Sequence, residues 1–395
     1  MTKEEKIDEI LTRGVAEVIH KDDLRAKLLK GEPLRIKFGT DPTSPNIHLG
    51  RATSIWKLRE LQDLGHTIVF IVGDFTGVIG DTSDKESERP MLSREVVEKN
   101  LETYFEQVGK ILDMSKVEKH RNTEWLEKLN YREITEHADV FSLSDFISRE
   151  NIKKRLDEGK RVSLRELLYP LMQGYDSVAL STDIEIGATD QKFNMLAGRK
   201  LQEHFGKEPQ NIIMLNIIEG LDGRKMSSSW GNTINLTDTA NDMFGKVMSL
   251  RDELIVKYFE HATRVTMEKV ADAQKALDNG ENPRDVKLDL AQEITAMYHG
   301  DEEAKKAREA FLSTFQKKEI PDDIEEVKKN EEETFGDLML RANIVASKTE
   351  FRRLVEEGAV KSLGEGGEEE KITDFLAVAT PGVYKIGKRR FVKIV

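Results

Sequence analysis

The chain contains no cysteine, which excludes disulfides, thiolate metal centres and cysteine nucleophiles. It has no apolar run approaching the roughly 18 residues that a membrane span requires. Its first residues, MTKEEKIDEILTRG, are charged and amphipathic and lack the apolar stretch of a signal peptide. Positive charge is in deficit: 61 Lys and Arg face 73 Asp and Glu, a net of −12. That balance argues against broad nonspecific nucleic-acid binding, so an RNA partner would have to meet a local basic face. A cytoplasmic protein with no membrane and no DNA partner is the expectation. At 395 residues, 38% of them hydrophobic and 34% charged, the chain predicts two or three domains.

Residues 1–33 read as helices, because Ile7, Ile10, Leu11, Val15, Val18 and Ile19 recur at helical spacing. A short strand, Leu34 to Phe38, leads through the turn-rich GTDPTSPN into a helix from Ile47 to Leu64. The run TIVFIV (Thr67 to Val72) is nearly all apolar, as a strand buried on both faces should be. Strand, helix and strand within about 40 residues make a βαβ unit and predict a parallel sheet. Residues 91–160 are charged and mostly helical and read as an insertion at the sheet's edge. A helix covers 164–180, another begins near Asp190, and Asn211 to Ile218 is a second buried strand. From Asp238 to about Phe315 the pattern is helical. The acidic stretch that follows has almost no core formers and reads as a linker. From Phe335 to Val395 the balance changes to eleven Lys and Arg against nine Asp and Glu, with Arg352, Arg353, Lys388, Arg389 and Arg390 clustered. This tail is expected to be a separate small domain.

Two stretches carry the chemistry. In PNIHLGR (Pro45 to Arg51), His48 stands in the first turn of a helix, where unpaired N–H groups and the helix dipole favour an anion. Gly50 lets a ligand lie close on the helix backbone. In GRKMSSS (Gly223 to Ser229), Lys225 is followed by three small hydroxyl residues just after a buried strand, at the edge where α/β sheets bind ligands. A triphosphate site needs both, helix-start donors on one side and a cationic loop on the other. In LRELLYPLMQGYDSVAL, Tyr169, Gln173 and Asp176 fall at i, i+4 and i+7. They share one helix face and point to a polar ligand.

Together these stretches resemble the two signatures of class I aminoacyl-tRNA synthetases, and GTDPTSPNIHLG and YPLMQGYD resemble their tyrosyl forms. The resemblance covers essentially the whole chain. It implies a Rossmann-like parallel-sheet catalytic domain over 1–232, with the helical insertion at about 91–160. A helical anticodon-binding domain over 233–320 and an acidic linker at 321–334 would follow. The segment 335–395 resembles the small α+β RNA-binding domain named after ribosomal protein S-four. The implied reaction activates L-tyrosine with ATP to tyrosyl-adenylate and pyrophosphate, then transfers tyrosine to the 3′ end of tRNA(Tyr). A tryptophan-specific sister enzyme and a non-catalytic RNA-binding protein with the same fold stay open as alternatives.

By the same resemblance, His48, Lys225, Lys85 and Arg89 supply positive charge to the phosphates. ATP would meet Asp41, Thr43, His48, Gly50, Arg51, Asp190, Lys225, Ser227, Ser228 and Ser229. Mg²⁺ would arrive on the phosphates, with no dedicated protein metal site. Tyrosine would meet Thr76, Asp81, Tyr169, Gln173, Asp176 and Gln191. Lys37 stands where many relatives place a tyrosine, and is expected either to donate to the substrate phenol or to pair with Asp176. Ser347, Arg352, Arg353, Lys388 and Arg389 would contact RNA, and a homodimer is implied. Three further departures from the commoner pattern are Arg51 for a second histidine, Ser228 for a second lysine and Ala188 for a glycine.

Overall fold

A computed structural model describes residues 1–83, 91–316, 324–331, 333–363, 369–387 and 390–395. They divide into two compact units, Met1–Ala304 and Lys305–Val395. The first is built on a sheet of β1 (Val15–Ile19), β2 (Arg35–Thr40), β3 (Thr67–Val72), β4 (Val117–Arg121), β5 (Ile184–Ala188) and β6 (Asn211–Leu215). Across the sheet the order is β1-β6-β5-β2-β3-β4. All neighbours run parallel except β1, which is antiparallel to β6. The centre is apolar because Ile68 to Val72 and Ile212 to Met214 are fully enclosed, as strands covered on both faces require.

From β2 the chain winds through β3 to β4 on one side, then returns to β5 and β6 on the other. The winding direction therefore reverses between β2 and β5. At such a point the connections leave in opposite directions and open a crevice beyond the carboxyl ends of the strands.

Two expectations are corrected. Residues 15–19 are not helical. Gly14, at φ 67°, ends the first turns, and the β-branched Val15, Val18 and Ile19 pair with the edge of β6, Val18 opposite Ile213. The insertion contains β4, whose polar sequence VEKHR hid it. Residues 233–304, expected to begin a helical domain, fall with the sheet in one compact unit. Within that unit, Arg13 donates to the carbonyls of Glu260 and Thr263 at the end of the helix Ile255–Ala262, and the Trp56 indole donates to the Tyr298 hydroxyl at 3.0 Å.

The second unit packs the helices Phe335–Arg341 and Lys348–Glu356 on β7 (Glu325–Val327), β8 (Val360–Leu363), β9 (Glu369–Lys371), β10 (Gly382–Ile386) and β11 (Arg390–Ile394). Their order is β7-β11-β10-β8-β9. Phe335, Leu338, Phe351, Ile386 and Val392 form its core. Here too an expectation changes: β7 lies inside the acidic stretch read as a linker, and Glu325 to Val327 pair with Val392 to Ile394. Only Val327 turns inward. An edge strand needs no more apolar surface than that.

The helix that carries Tyr169, Gln173 and Asp176 runs from Leu164 to Leu180 and starts with a capping box between Ser163 and Glu166. The Glu166 carboxylate is also held by Arg155 from the insertion, at 2.5 and 3.0 Å, with both side chains buried. Removing one partner of such a pair leaves an uncompensated buried charge, so Glu166→Ala should lose about 3–5 kcal/mol of stability. Urea denaturation measures it, and a loss below about 1 kcal/mol would show that the pair does not anchor this helix.

Candidate functional site

A cavity of about 610 Å³ opens where the winding reverses. The loop after β2 brings Asp41 and Thr43, the segment after β3 brings Thr76 and Asp81, and the turn after β5 brings Asp190 and Gln191. His48, Gly50 and Arg51 enter from the start of the helix Leu49–Asp63. Lys225, Ser227, Ser228 and Ser229 enter from the loop beyond β6, and Tyr169, Gln173 and Asp176 from one face of their helix. Sixteen of the sequence-predicted positions thus share one cavity.

One pole of the cavity is rich in carboxylates. Asp41 accepts from the Thr76 hydroxyl at 2.7 Å and the Tyr169 hydroxyl at 2.8 Å. Loss of water raises its carboxyl to about 6 against those donors. The same burial, with Asp41 and Asp81 close by, holds the Tyr169 phenol well above its ordinary value. Gly73 makes this contact possible: a Cβ there would lie 2.0 Å from Asp41 Oδ1 and 2.3 Å from Thr76 Oγ1. Asp81 accepts from Gln191 Nε2 at 2.6 Å and from the Ser83 backbone and hydroxyl. Asp176, 3% exposed, accepts from the Trp125 indole at 2.8 Å. Burial pushes its carboxyl up to about 7 even though Lys37, Trp125 and Asn122 favour the ionised form.

The expectation for Lys37 is corrected. Its ammonium lies behind the cavity wall, fully enclosed, and its contacts are with the Gln173 carbonyl (2.7 Å), Ser177 Oγ (2.7 Å) and Glu185 Oε1 (2.9 Å). Three acceptors use all three of its protons. None is left for a phenol, and the paired carboxylate is Glu185 rather than Asp176.

The opposite pole is rich in donors. His48 caps its helix in extended backbone without a side-chain capping bond, and its buried Nδ1 has no partner among the described residues. Burial, with Arg51 and Lys225 nearby, lowers the imidazole to about 3. Backbone bonds from Leu49 to Ile234 and from Leu236 to Ile47 hold the helix start in place. Gly50 packs under this ring, since a Cβ there would lie 3.1 Å from His48 Nδ1. Arg51 donates to the Tyr104 hydroxyl at 2.7 Å. Lys225 pairs with Asp190 at 2.5 Å. Its loop is closed by Asn232, which accepts from the Ser227 backbone and donates to Asp222 and to the Lys225 carbonyl.

Sequence reading missed Trp125, Asn122, Tyr104, Glu185 and Asn194, which shape this site from the wall or from behind it. Trp125 carried the one available signal, being one of only three tryptophans in the chain. Lys85, Arg89, Lys388 and Arg389 lie outside the described residues. Ser347, Arg352 and Arg353 are in the second unit. There Ser347 caps the helix Lys348–Glu356, and Arg352 pairs with Glu356 and lies over the Phe375 ring. Among the described residues no cluster of His, Asp and Glu suits a metal ion, and no helix is long and apolar enough to cross a membrane.

Comparison with known proteins follows the same residues. A model of the class I tRNA synthetases (W and Y) matches residues 29–316. The tyrosine--tRNA ligase of Francisella tularensis subsp. tularensis is 45% identical over 388 residues, covering 98% of each chain. That of Thermotoga maritima is 44% identical over 398 residues, covering 100% of this chain and 98% of the relative. The solved tyrosyl-tRNA synthetase of Archaeoglobus fulgidus, complexed with L-tyrosine, superposes with a TM-score of 0.62 at 22% identity. It covers 78% of this chain and all of its own. At that identity the likeness speaks to the fold alone.

The electrostatics of the donor pole generate a prediction. With its ring lowered to about 3, His48 should stay neutral throughout pH 5–8, where an ordinary histidine titrates near 6.5. NMR of the imidazole nitrogens reads this, and adding inorganic triphosphate should raise the value by placing negative charge beside the ring. Titration near 6.5 without the anion would show the ring to be solvated instead.

Proposed function

The chain belongs to the tyrosine--tRNA ligase family of class I tRNA synthetases, and we propose that it joins L-tyrosine to tRNA(Tyr) at the expense of ATP, through tyrosyl-adenylate and pyrophosphate. The observation that carries the reading is the polarity of one cavity, acceptors at one end and phosphate donors at the other. A tyrosine fits with its phenol donating to Asp176 and its ammonium among Tyr169, Gln173, Asp81 and Gln191. Its carboxylate then faces the donor pole. The reaction needs little proton transfer. The tyrosine carboxylate attacks the α-phosphorus of ATP, the bond to the bridging oxygen breaks, and pyrophosphate leaves with that electron pair. The enzyme's contribution is to align the two reactants and to stabilise the departing charge.

Lys225 and Asp190 would exchange partners in that process. The ATP phosphates take the ammonium and the ribose hydroxyls take the carboxylate. His48 adds a neutral N–H at the helix start, Arg51 a permanent cation, and Gly50 the space for the nucleoside. Thr43 and the serines after Met226 line the same end. This donor set suits an anion and not a cation, so Mg²⁺ would be held by ATP phosphates and water. Arg352 and Arg353, with Ser347, would meet tRNA from the second unit. The leucines Leu164 and Leu168, one turn apart and 77% and 37% exposed, supply apolar surface for a homodimer. As an enzyme of protein synthesis it would work in the cytoplasm.

Amino-acid-dependent exchange of pyrophosphate into ATP tests the reading. Tyrosine should support it, and exchange with tryptophan alone would assign the sister specificity. Lys225→Ala should lower kcat of this exchange by about 10²-fold or more, as loss of one transition-state donor does, with tyrosine affinity nearly unchanged. An unaltered kcat would place the phosphate contact elsewhere.

The Asp176 carboxyl sets a pH dependence. Raised to about 7, it is neutral below that pH and ionised above it. Only the ionised form accepts the phenol proton freely. The tyrosine KM should therefore rise roughly tenfold from pH 8 to pH 6, following the loss of ionised carboxylate. Asp176→Asn should flatten the profile, and a wild-type KM independent of pH in this range would exclude Asp176 as the phenol acceptor.

A further inference from the structure

Glu185 and Lys37 are among the most deeply buried charged residues of the chain, 2% and 0% exposed, and the reaction as described uses neither. Glu185 Oε1 accepts from Lys37 and, at 3.1 Å, from Gln173 Nε2, while its Oε2 accepts from Gln210 Nε2. An ionised carboxylate is an acceptor only. It can therefore face the amide nitrogen of Gln173 but not its oxygen, and the side chain cannot flip. Gln173 Oε1 is left on the other side, where it accepts from Asn194 Nδ2 at 3.0 Å.

The same logic runs in from the far end. Asp81 Oδ2 accepts from Gln191 Nε2 at 2.6 Å, so Gln191 too must turn its oxygen inward, onto Asn194 Nδ2 at 3.1 Å. Three carboxamides thus form a chain between two carboxylates, and both ends dictate the same polarity. Gln173 and Gln191 line the cavity, and their carbonyl oxygens converge on Asn194 Nδ2, which also donates to Ser83 Oγ at 3.2 Å. Asn194, with no exposed surface, keeps an Oδ1 that has no partner among the described residues.

We infer that Glu185 is a positioning residue: it sets the polarity of the Gln173–Asn194–Gln191 chain so that an acceptor surface, and not a donor surface, meets the amino group of the amino-acid substrate. Lys37 is its counter-ion, neutralising a carboxylate that could not otherwise be buried there. The inference rests on the proposed tyrosine pocket and explains why a lysine is buried within β2.

The test compares tyrosine with 3-(4-hydroxyphenyl)propionate, the same acid without its amino group, as substrate and competitive inhibitor of pyrophosphate exchange. Glu185→Gln keeps the shape but can donate to Gln173 Oε1 and so permits the flip. It should raise the tyrosine KM by about tenfold or more, as loss of a hydrogen bond to a charged group does. The inhibition constant of the amine-free analogue should change less than twofold, and kcat far less than KM. Equal weakening of both ligands, or of neither, overturns the inference, because a purely structural role would not single out the amine. Should Glu185→Gln fail to fold, Lys37→Met with Glu185→Gln removes both charges together and is read in the same way. Gln173→Ala is run in parallel. If it too leaves the ratio of the two ligands unmoved, the tyrosine pocket itself is wrong; if it moves the ratio and Glu185→Gln does not, only the role of Glu185 falls.

Discussion

The reversal of winding between β2 and β5 is the constraint on which the site depends. A parallel sheet must send every crossover out and back, and only where the direction changes do neighbouring loops part. Here that parting places the loop after β2 and the turn after β5 on opposite walls, 149 positions apart from Asp41 to Asp190 in the sequence. The remaining elements work to keep the crevice in place. The helix Leu164–Leu180 lies across it and is held at its start by the buried Arg155–Glu166 pair. The helix Leu49–Asp63 points its first turn into it, pinned by backbone bonds to Ile234 and from Leu236.

Burial then divides the charge. At the carboxylate end, water is removed faster than cations are supplied, so Asp41 and Asp176 are raised to about 6 and about 7. Each therefore takes up or releases its proton close to neutral pH. At the donor end the same desolvation acts on a base and leaves His48 neutral. One physical cause therefore yields opposite shifts at the two ends of one cavity. The Lys225–Asp190 pair joins the two regimes, a cation of the donor end held by a carboxylate.

Much of this was legible before any coordinates. Continuous apolar runs gave β3 and β6 because a strand covered on both faces has no other composition. The i, i+4, i+7 spacing gave the pocket face of one helix. What stayed hidden was structure whose local sequence is polar. β4 reads VEKHR and β7 reads EEV; both are edge strands, held by backbone pairing to one neighbour and needing little apolar surface. β1 was misread for the opposite reason, since its apolar residues fit a helical spacing until Gly14 is known to break it. Within the site, Trp125 and Tyr104 come from the insertion, and nothing local links them to Asp176 or Arg51. Their contacts are long-range facts of packing.

The departures from the commoner family pattern also become intelligible as local solutions. A lysine within β2 would be prohibitive in a closed core, but Glu185 and two oxygens of the helix Leu164–Leu180 satisfy every proton it carries. Arg51 brings a planar fork where a histidine is usual, and Tyr104, itself bonded to Thr40, receives one arm of it. Ser228 opens a short 3-10 turn through Trp230, whose ring lies under the Arg224 guanidinium. Lys37 and Arg51 thus each find partners well outside the stretch in which they stand. For these two residues a departure that reads locally as a lost group is, in the folded chain, one half of a pair whose second half lies far away in the sequence.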